Sequence, residues 1–100
     1  MKATRVLVRP EAESDLLAAY GWYEEQSRGL GEVFLASVKE SLDLLAKNPE
    51  AFQVIHRSIR RILIRRFPYG IFYIPQNDGI SILAVLHVRR DPKILKARKV

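Results

Sequence analysis

Three observations in the sequence predict an α+β fold of order β-α-α-β-β-β. Apolar residues recur at helical spacing through the first half of the chain and at strand spacing through the second, and turn residues separate the runs. The predicted architecture is an N-terminal helical hairpin packed on one face of a mainly antiparallel sheet, within a single domain spanning residues 1–100.

The first strand is expected over residues 3–8 (ATRVLV). Pro10 suits the first turn of a helix, where its missing N–H is harmless, and Glu11, Glu13 and Asp15 suit the positive end of the helix dipole. Ala12, Leu16, Ala19, Tyr20 and Tyr23 form one stripe, which predicts a helix over about 10–27. Ser27-Arg28-Gly29 then breaks the pattern. Phe34 or Leu35, Val38, Leu42 and Leu45 form a second stripe, with Glu32, Lys39, Glu40, Asp43 and Lys47 on the wet side. This second helix is expected over about 30–47, stopped by Asn48 and Pro49. The short break between the helices implies an antiparallel hairpin. Residues 50–57 read as a connector anchored by Phe52 and Ile55.

Three strands follow. In residues 59–66, Ile62 and Ile64 point one way, while Arg61, Leu63 and Arg65 point the other. The segment PYGIFYIP forms the next strand, and Gln76-Asn77-Asp78-Gly79 supplies hairpin-turn chemistry. In residues 80–89, Ile80, Ile82, Ala84, Leu86 and Val88 form an aliphatic row expected to pack on the helices. Ser81, Leu83, Val85, His87 and Arg89 form the opposite row. Consecutive strands with no room for crossovers require an antiparallel meander. The basic tail DPKILKARKV reads as a short helical or extended arm.

Hydrophobic content of 48% with 28% charged residues is that of an ordinary globular chain. No apolar run approaches the roughly 20 residues a membrane span needs, and the N-terminus lacks a secretory pattern, so a cytoplasmic protein without membrane contact is expected. The absence of Cys excludes disulfides and thiolate chemistry. With only two His, no metal site and no cofactor are expected.

Charge is unevenly divided. Residues 1–50 hold six Lys/Arg against nine Asp/Glu, and residues 51–100 hold eleven against two, with no acid between Glu50 and Asp78. The second half therefore suits an acidic partner, nucleic acid or an acidic protein segment, although a solvated basic face needs none. The face carrying Arg61, Leu63, Arg65, Leu83, Val85, His87 and Arg89 mixes apolar groups with arginine. It suits an amphipathic segment bearing acids, unless the tail or a second copy covers it.

The order of elements, together with RRFPYGIFY at 65–73 and LAVLHVRRDP at 83–92, resembles the RelE/ParE toxin superfamily of bacterial type II toxin–antitoxin systems, the ParE branch above all. The resemblance covers nearly the whole chain. It implies a toxin neutralised by a cognate ParD-like antitoxin with an acidic C-terminal segment, which would occupy the mixed face. It also implies contact with operator DNA only through the antitoxin, and DNA gyrase as the target. ParE-like toxins trap gyrase on cleaved DNA and need no catalytic residues. The basic C-terminal residues Arg90, Lys93, Lys96, Arg98 and Lys99 are the candidates for meeting that target.

RelE-like members instead cut messenger RNA on the ribosome. Laid on this chain, their strand-two basic positions fall near Arg61 and Leu63, their strand-three arginine on Gly70, their strand-four arginine on Arg89, and their tail tyrosine near Leu95. A ribonuclease here would thus rely on Arg61, Arg89 and His87, the last as general base, since an ordinary histidine titrates at about 6.5. His87 equally suits a structural role, capping the strand end or bonding Asp91. His56 reads as structural. Tyr69 and Tyr73 could stack on bases or pack at the core edge, and Trp22 sits at the hairpin surface or a dimer contact. A third reading is an inactive homologue that only binds antitoxin and regulates its operon.

Overall fold

A computed structural model describes residues 5–91 and 93–98. Its elements are β1 (Arg5–Val8), α1 (Pro10–Gln26), α2 (Leu30–Lys47), β2 (Gln53–His56), β3 (Ile59–Leu63), β4 (Tyr69–Gln76), β5 (Gly79–His87) and α3 (Ile94–Ala97). The predicted hairpin and three-strand meander are present. The connector adds a fourth, outer strand, β2, and the tail adds a one-turn helix, α3. The predicted first strand is shorter, since residues 3 and 4 lie outside the described part.

Pro10 opens α1 and Glu11 and Glu13 occupy its first turn, as the dipole favours. The turn into α2 depends on Gly29, whose φ of 89° is open to glycine at little cost. Glu24 stabilises the same turn: its two carboxylate oxygens accept the N–H groups of Gly29 and Gly31, each at 2.9 Å. These are donors that a helix start otherwise leaves without partners.

The sheet runs β1-β5-β4-β3-β2, with β1 parallel to β5 and every other pair antiparallel. Both helices cover one face. Ala12, Ala19 and Tyr23 of α1 and Phe34, Val38 and Leu45 of α2 form one buried cluster with Ile62, Ile64, Ile71, Tyr73, Ile80, Ile82 and Val85. At one end of it, Tyr23, Phe34, Phe67 and Tyr69 pack mostly edge to face, with Tyr23–Phe67 centroids 4.9 Å apart and Phe34–Tyr69 centroids 5.3 Å apart.

One irregularity corrects the predicted faces of β5. Phe72 pairs with Ala84 but Tyr73 pairs with Ile82, so Leu83 is an extra residue without a partner in β4. Such a bulge shifts the alternation by one. Ile80 and Ile82 meet the helices as expected. Beyond the bulge the order inverts: Val85 joins the helix-side cluster, while Leu83, Ala84 and Leu86 form a second cluster with Phe72 and Ile74 on the opposite face. Val88, at the end of the predicted aliphatic row, is 51% exposed.

β1 lines β5 only as far as Ile82, whose carbonyl accepts the Arg9 N–H at 3.1 Å. Past that point Asp15 takes over the edge. Its Oδ2 accepts the Val85 N–H at 2.9 Å, and its carboxylate takes Arg98 Nη1 and Nη2 at 2.5 and 3.0 Å. Arg98 Nη1 also reaches the Leu83 carbonyl at 3.5 Å. The hydrogen bond and charge of Asp15 hold the Arg98 guanidinium even more firmly protonated than usual, although burial opposes this. Both side chains are only 15% exposed.

This packing has measurable consequences. Asp15→Ala and Arg98→Ala each remove half of a largely buried ion pair and should cost about 3 kcal/mol in urea unfolding, with the double variant well short of the sum; additive losses would contradict the tie. A further expectation concerns alkali. Burial pushes the phenols of Tyr23, Tyr69 and Tyr73 up, and the Tyr73 hydroxyl donates to the Pro49 carbonyl at 2.8 Å. A raised folded pKa means that the stabilisation is complete below the unfolded value of about 10 and is lost as pH rises past it. The urea midpoint should therefore fall above about pH 10, and fall less in Tyr73→Phe; identical alkaline losses in the two proteins would contradict a role for Tyr73.

Candidate functional site

The sheet face away from the hairpin divides into a covered part and an open part. The covered part lies beneath the C-terminal arm. Leu95, 5% exposed, packs with Phe72, Leu83, Ala84 and Leu86, and Ile94 packs against the same cluster. Asp91 shapes the start of the arm, its Oδ1 accepting the Lys93 N–H at 2.9 Å. The Asp15–Arg98 pair ties its end to α1. A tail expected either to cover this strip or to leave it open thus covers the β4–β5 portion.

The open part contains a cavity of about 200 Å³. Its apolar lining comes from Ile55, Phe72, Leu86 and Val88, and its basic lining from Arg61, Arg90 and His87. No acidic side chain among the described residues lines it. Gly70 makes the room, for a Cβ there would stand 3.0 Å from Arg61 Cδ and 3.1 Å from Arg61 Cγ. The Arg61 stem lies across this glycine, and its Nη2 donates to Gln53 Oε1 at 3.2 Å. Leu63, which pairs with Gly70 across the β3–β4 ladder, is 54% exposed beside it.

The predicted site residues separate on this surface. Arg61 and Leu63 stand on the open face as expected. His87 also reaches the cavity, but its ring meets Tyr69 edge-on at 5.4 Å and its Nδ1 accepts the Arg89 N–H at 3.1 Å. It caps the strand end, as one reading held, through Arg89 rather than Asp91. Leu83 lies on the expected face but is buried under α3. Val85 does not belong to the site: the bulge turns it into the helix-side core at 2% exposure. Arg65 is exposed in the turn after β3, and Arg89 is exposed outside the cavity lining.

Of the basic tail residues, Arg90 lines the cavity, Lys93 and Lys96 are exposed on the arm, and Arg98 is held by Asp15, so it is not a free contact. Lys99 lies outside the described residues. Sequence reasoning missed Asp15, Ile55 and Gly70 as contributors. A glycine inside a predicted strand was a visible signal for the last, while Asp15 and Ile55 were read only as a helix-dipole acid and a connector anchor.

Exposed apolar side chains also occur on the hairpin, at Leu17, Trp22, Val33 and Leu44. Among the described residues no cluster of His, Cys, Asp or Glu is placed to hold a metal ion, and no helix is long and apolar enough to cross a membrane. The assignment of faces predicts opposite outcomes for two similar substitutions. Val85→Glu buries a carboxylate in the core and should cost about 3 kcal/mol or more, whereas Leu63→Glu, on an exposed position, should change stability by about 0.5 kcal/mol or less. Equal losses in chemical denaturation would contradict the bulge.

Comparison with known proteins agrees with the fold. A chain from the chromosomal ParDE TA system of P. aeruginosa superposes with a TM-score of 0.75, covering 85% of this chain and 96% of that one at 18% identity. Toxin ParE2 of Mycobacterium tuberculosis, in strains CDC 1551 / Oshkosh and ATCC 25618 / H37Rv, is 29% identical over 97 residues, covering 93% of this chain and 90% of the relative. The family described as the ParE toxin of type II toxin-antitoxin system, parDE, matches residues 6–92. The chain therefore belongs to the ParE toxin family of type II toxin–antitoxin systems.

Proposed function

We propose that the protein is a ParE-type toxin that inhibits DNA gyrase as a binder and is neutralised by a cognate antitoxin whose acidic C-terminal segment lies on the open sheet face. The observation that carries the second half of this reading is the pairing of apolar and unneutralised basic groups: exposed Leu63 and Val88 and half-buried Ile55 beside Arg61 and Arg90. A bare phosphate chain has no use for the apolar strip. An amphipathic acidic segment uses both, gaining burial from one and charge complementarity from the other. Membership of the ParE family supports the gyrase half. Operator DNA is reached only through the antitoxin, and the complex works in the cytoplasm. The exposed cations of the arm, Lys93 and Lys96, with neighbouring Arg89, are the candidates for the target contact.

Three assays test the reading. The neighbouring gene should encode a small chain with an acidic amphipathic C-terminus. That chain should bind the toxin, and Leu63→Glu should weaken binding at least about tenfold while Lys39→Glu on the outer hairpin leaves it unchanged. The free toxin should inhibit gyrase supercoiling and leave messenger RNA intact on translating ribosomes. Codon-boundary cuts with normal supercoiling would replace this reading with a ribonuclease using Arg61, Arg89 and His87. Silence in both assays with tight antitoxin binding would leave a regulator without toxic activity.

A further inference from the structure

We infer that the cavity at Gly70 is a two-part recognition subsite that takes one carboxylate side chain together with an adjacent branched apolar side chain from the acidic segment. The inference rests on the proposed antitoxin reading and deepens it, naming which part of the face selects the partner. Four features of the cavity carry it.

The first is size. A volume of about 200 Å³ is room for one or two side chains, not for a helix. The second is the division of its lining. Phe72 and Leu86 are nearly fully buried members of the far-face core, at 6% and 4% exposure, so an apolar group entering here joins an existing cluster. The third is charge. Arg61 and Arg90 both line the cavity, and among the described residues neither forms an ion pair and no carboxylate lines the cavity with them. Two other arginines serve the fold instead: Arg60 is held by Glu50 at 3.1 Å, and Arg98 by Asp15. The fourth is Gly70 itself. A methyl group at this position presses on the Arg61 stem, and a branched side chain displaces it. Position 70 thus has no side chain to displace the Arg61 stem from the cavity wall.

An arginine fork and an apolar wall side by side read a carboxylate and an aliphatic group jointly. A simple anion satisfies only half of the site. Discrimination against phosphate is therefore the property that separates this subsite from a generic basic patch.

The test uses the full-length toxin and two probes. The first is N-acetyl-leucyl-glutamate amide, followed by amide shifts in a 15N-labelled sample, with N-acetyl-leucyl-glutamine amide and inorganic phosphate as comparisons. The acidic dipeptide should shift Gly70, Phe72, Leu86 and Val88 saturably, and bind at least about tenfold more tightly than either comparison. Equal shifts with phosphate would overturn the subsite in favour of an unselective anion patch. The second probe is the antitoxin encoded beside the gene. Gly70→Val and Arg90→Gln should each weaken its binding about tenfold or more, with Lys39→Gln unchanged. Circular dichroism and a thermal melt check that Gly70→Val folds; if it does not, the surface variant Arg90→Gln decides alone. Wild-type affinity in Arg90→Gln and in folded Gly70→Val would overturn the subsite and leave the toxin–antitoxin reading standing. No binding to the unaltered toxin would overturn both.

Discussion

Leu83 stands opposite no residue of β4, and this one extra position decides what β5 can do. Before it, Ile80 and Ile82 reach the helices. After it, Val85 does, and Ala84 and Leu86 turn to the other side. Without the bulge, Ala84 and Leu86 would turn under the hairpin and Val85 would take the far face. The bulge thus divides one almost wholly apolar strand between two cores. Leu95 has somewhere to dock because Leu83, Ala84 and Leu86 face outward together.

The edge of β5 follows from the same geometry. β1 ends where the bulge begins, so Val85 N–H and the Leu83 carbonyl would face an unlined edge. Asp15 and Arg98 answer them and, in doing so, join the first helix to the C-terminal arm. A short helix of four residues has little stability of its own. It holds its place through Leu95 beneath it and Arg98 beyond it. With the arm seated, the β4–β5 part of the far face is covered, and among the described residues the region around Gly70 remains open. Arg61 and Arg90 line the open region while Arg60 and Arg98 serve the fold. This division of arginines between structure and surface gives the proposed partner contact its location.

Much of this was legible in the sequence, for physical reasons that can be named. The hairpin showed because α2 is clearly amphipathic and because Gly29 and Asn48 mark its ends. The β3 faces showed because Arg61 and Leu63 alternate cleanly with Ile62 and Ile64. β5 misled because residues 80–86 are apolar on both sides, and an alternation of apolar with apolar carries no register. β2 was hidden because it has four residues, is largely exposed, and is irregular between Val54 and His56. The Asp15–Arg98 pair spans 83 positions of sequence, and nothing local marks it. Of the predicted face, Arg61, Leu63 and His87 stand at the open region; Val85 lies in the helix-side core, Leu83 is buried under α3, Arg65 and Arg89 lie outside the cavity lining, and Gly70, Ile55 and Arg90 line the cavity without having been assigned to it.

In the proposed complex the partner's acidic segment meets the sheet rather than the hairpin. The direct measurement is a map of amide shifts in 15N-labelled toxin titrated with the acidic C-terminal segment of the neighbouring gene's product. The account predicts the largest changes at Arg61, Leu63, Gly70 and Val88, with the outer hairpin quiet. Changes centred on Leu17, Trp22, Val33 and Leu44, with the sheet face unmoved, would contradict it.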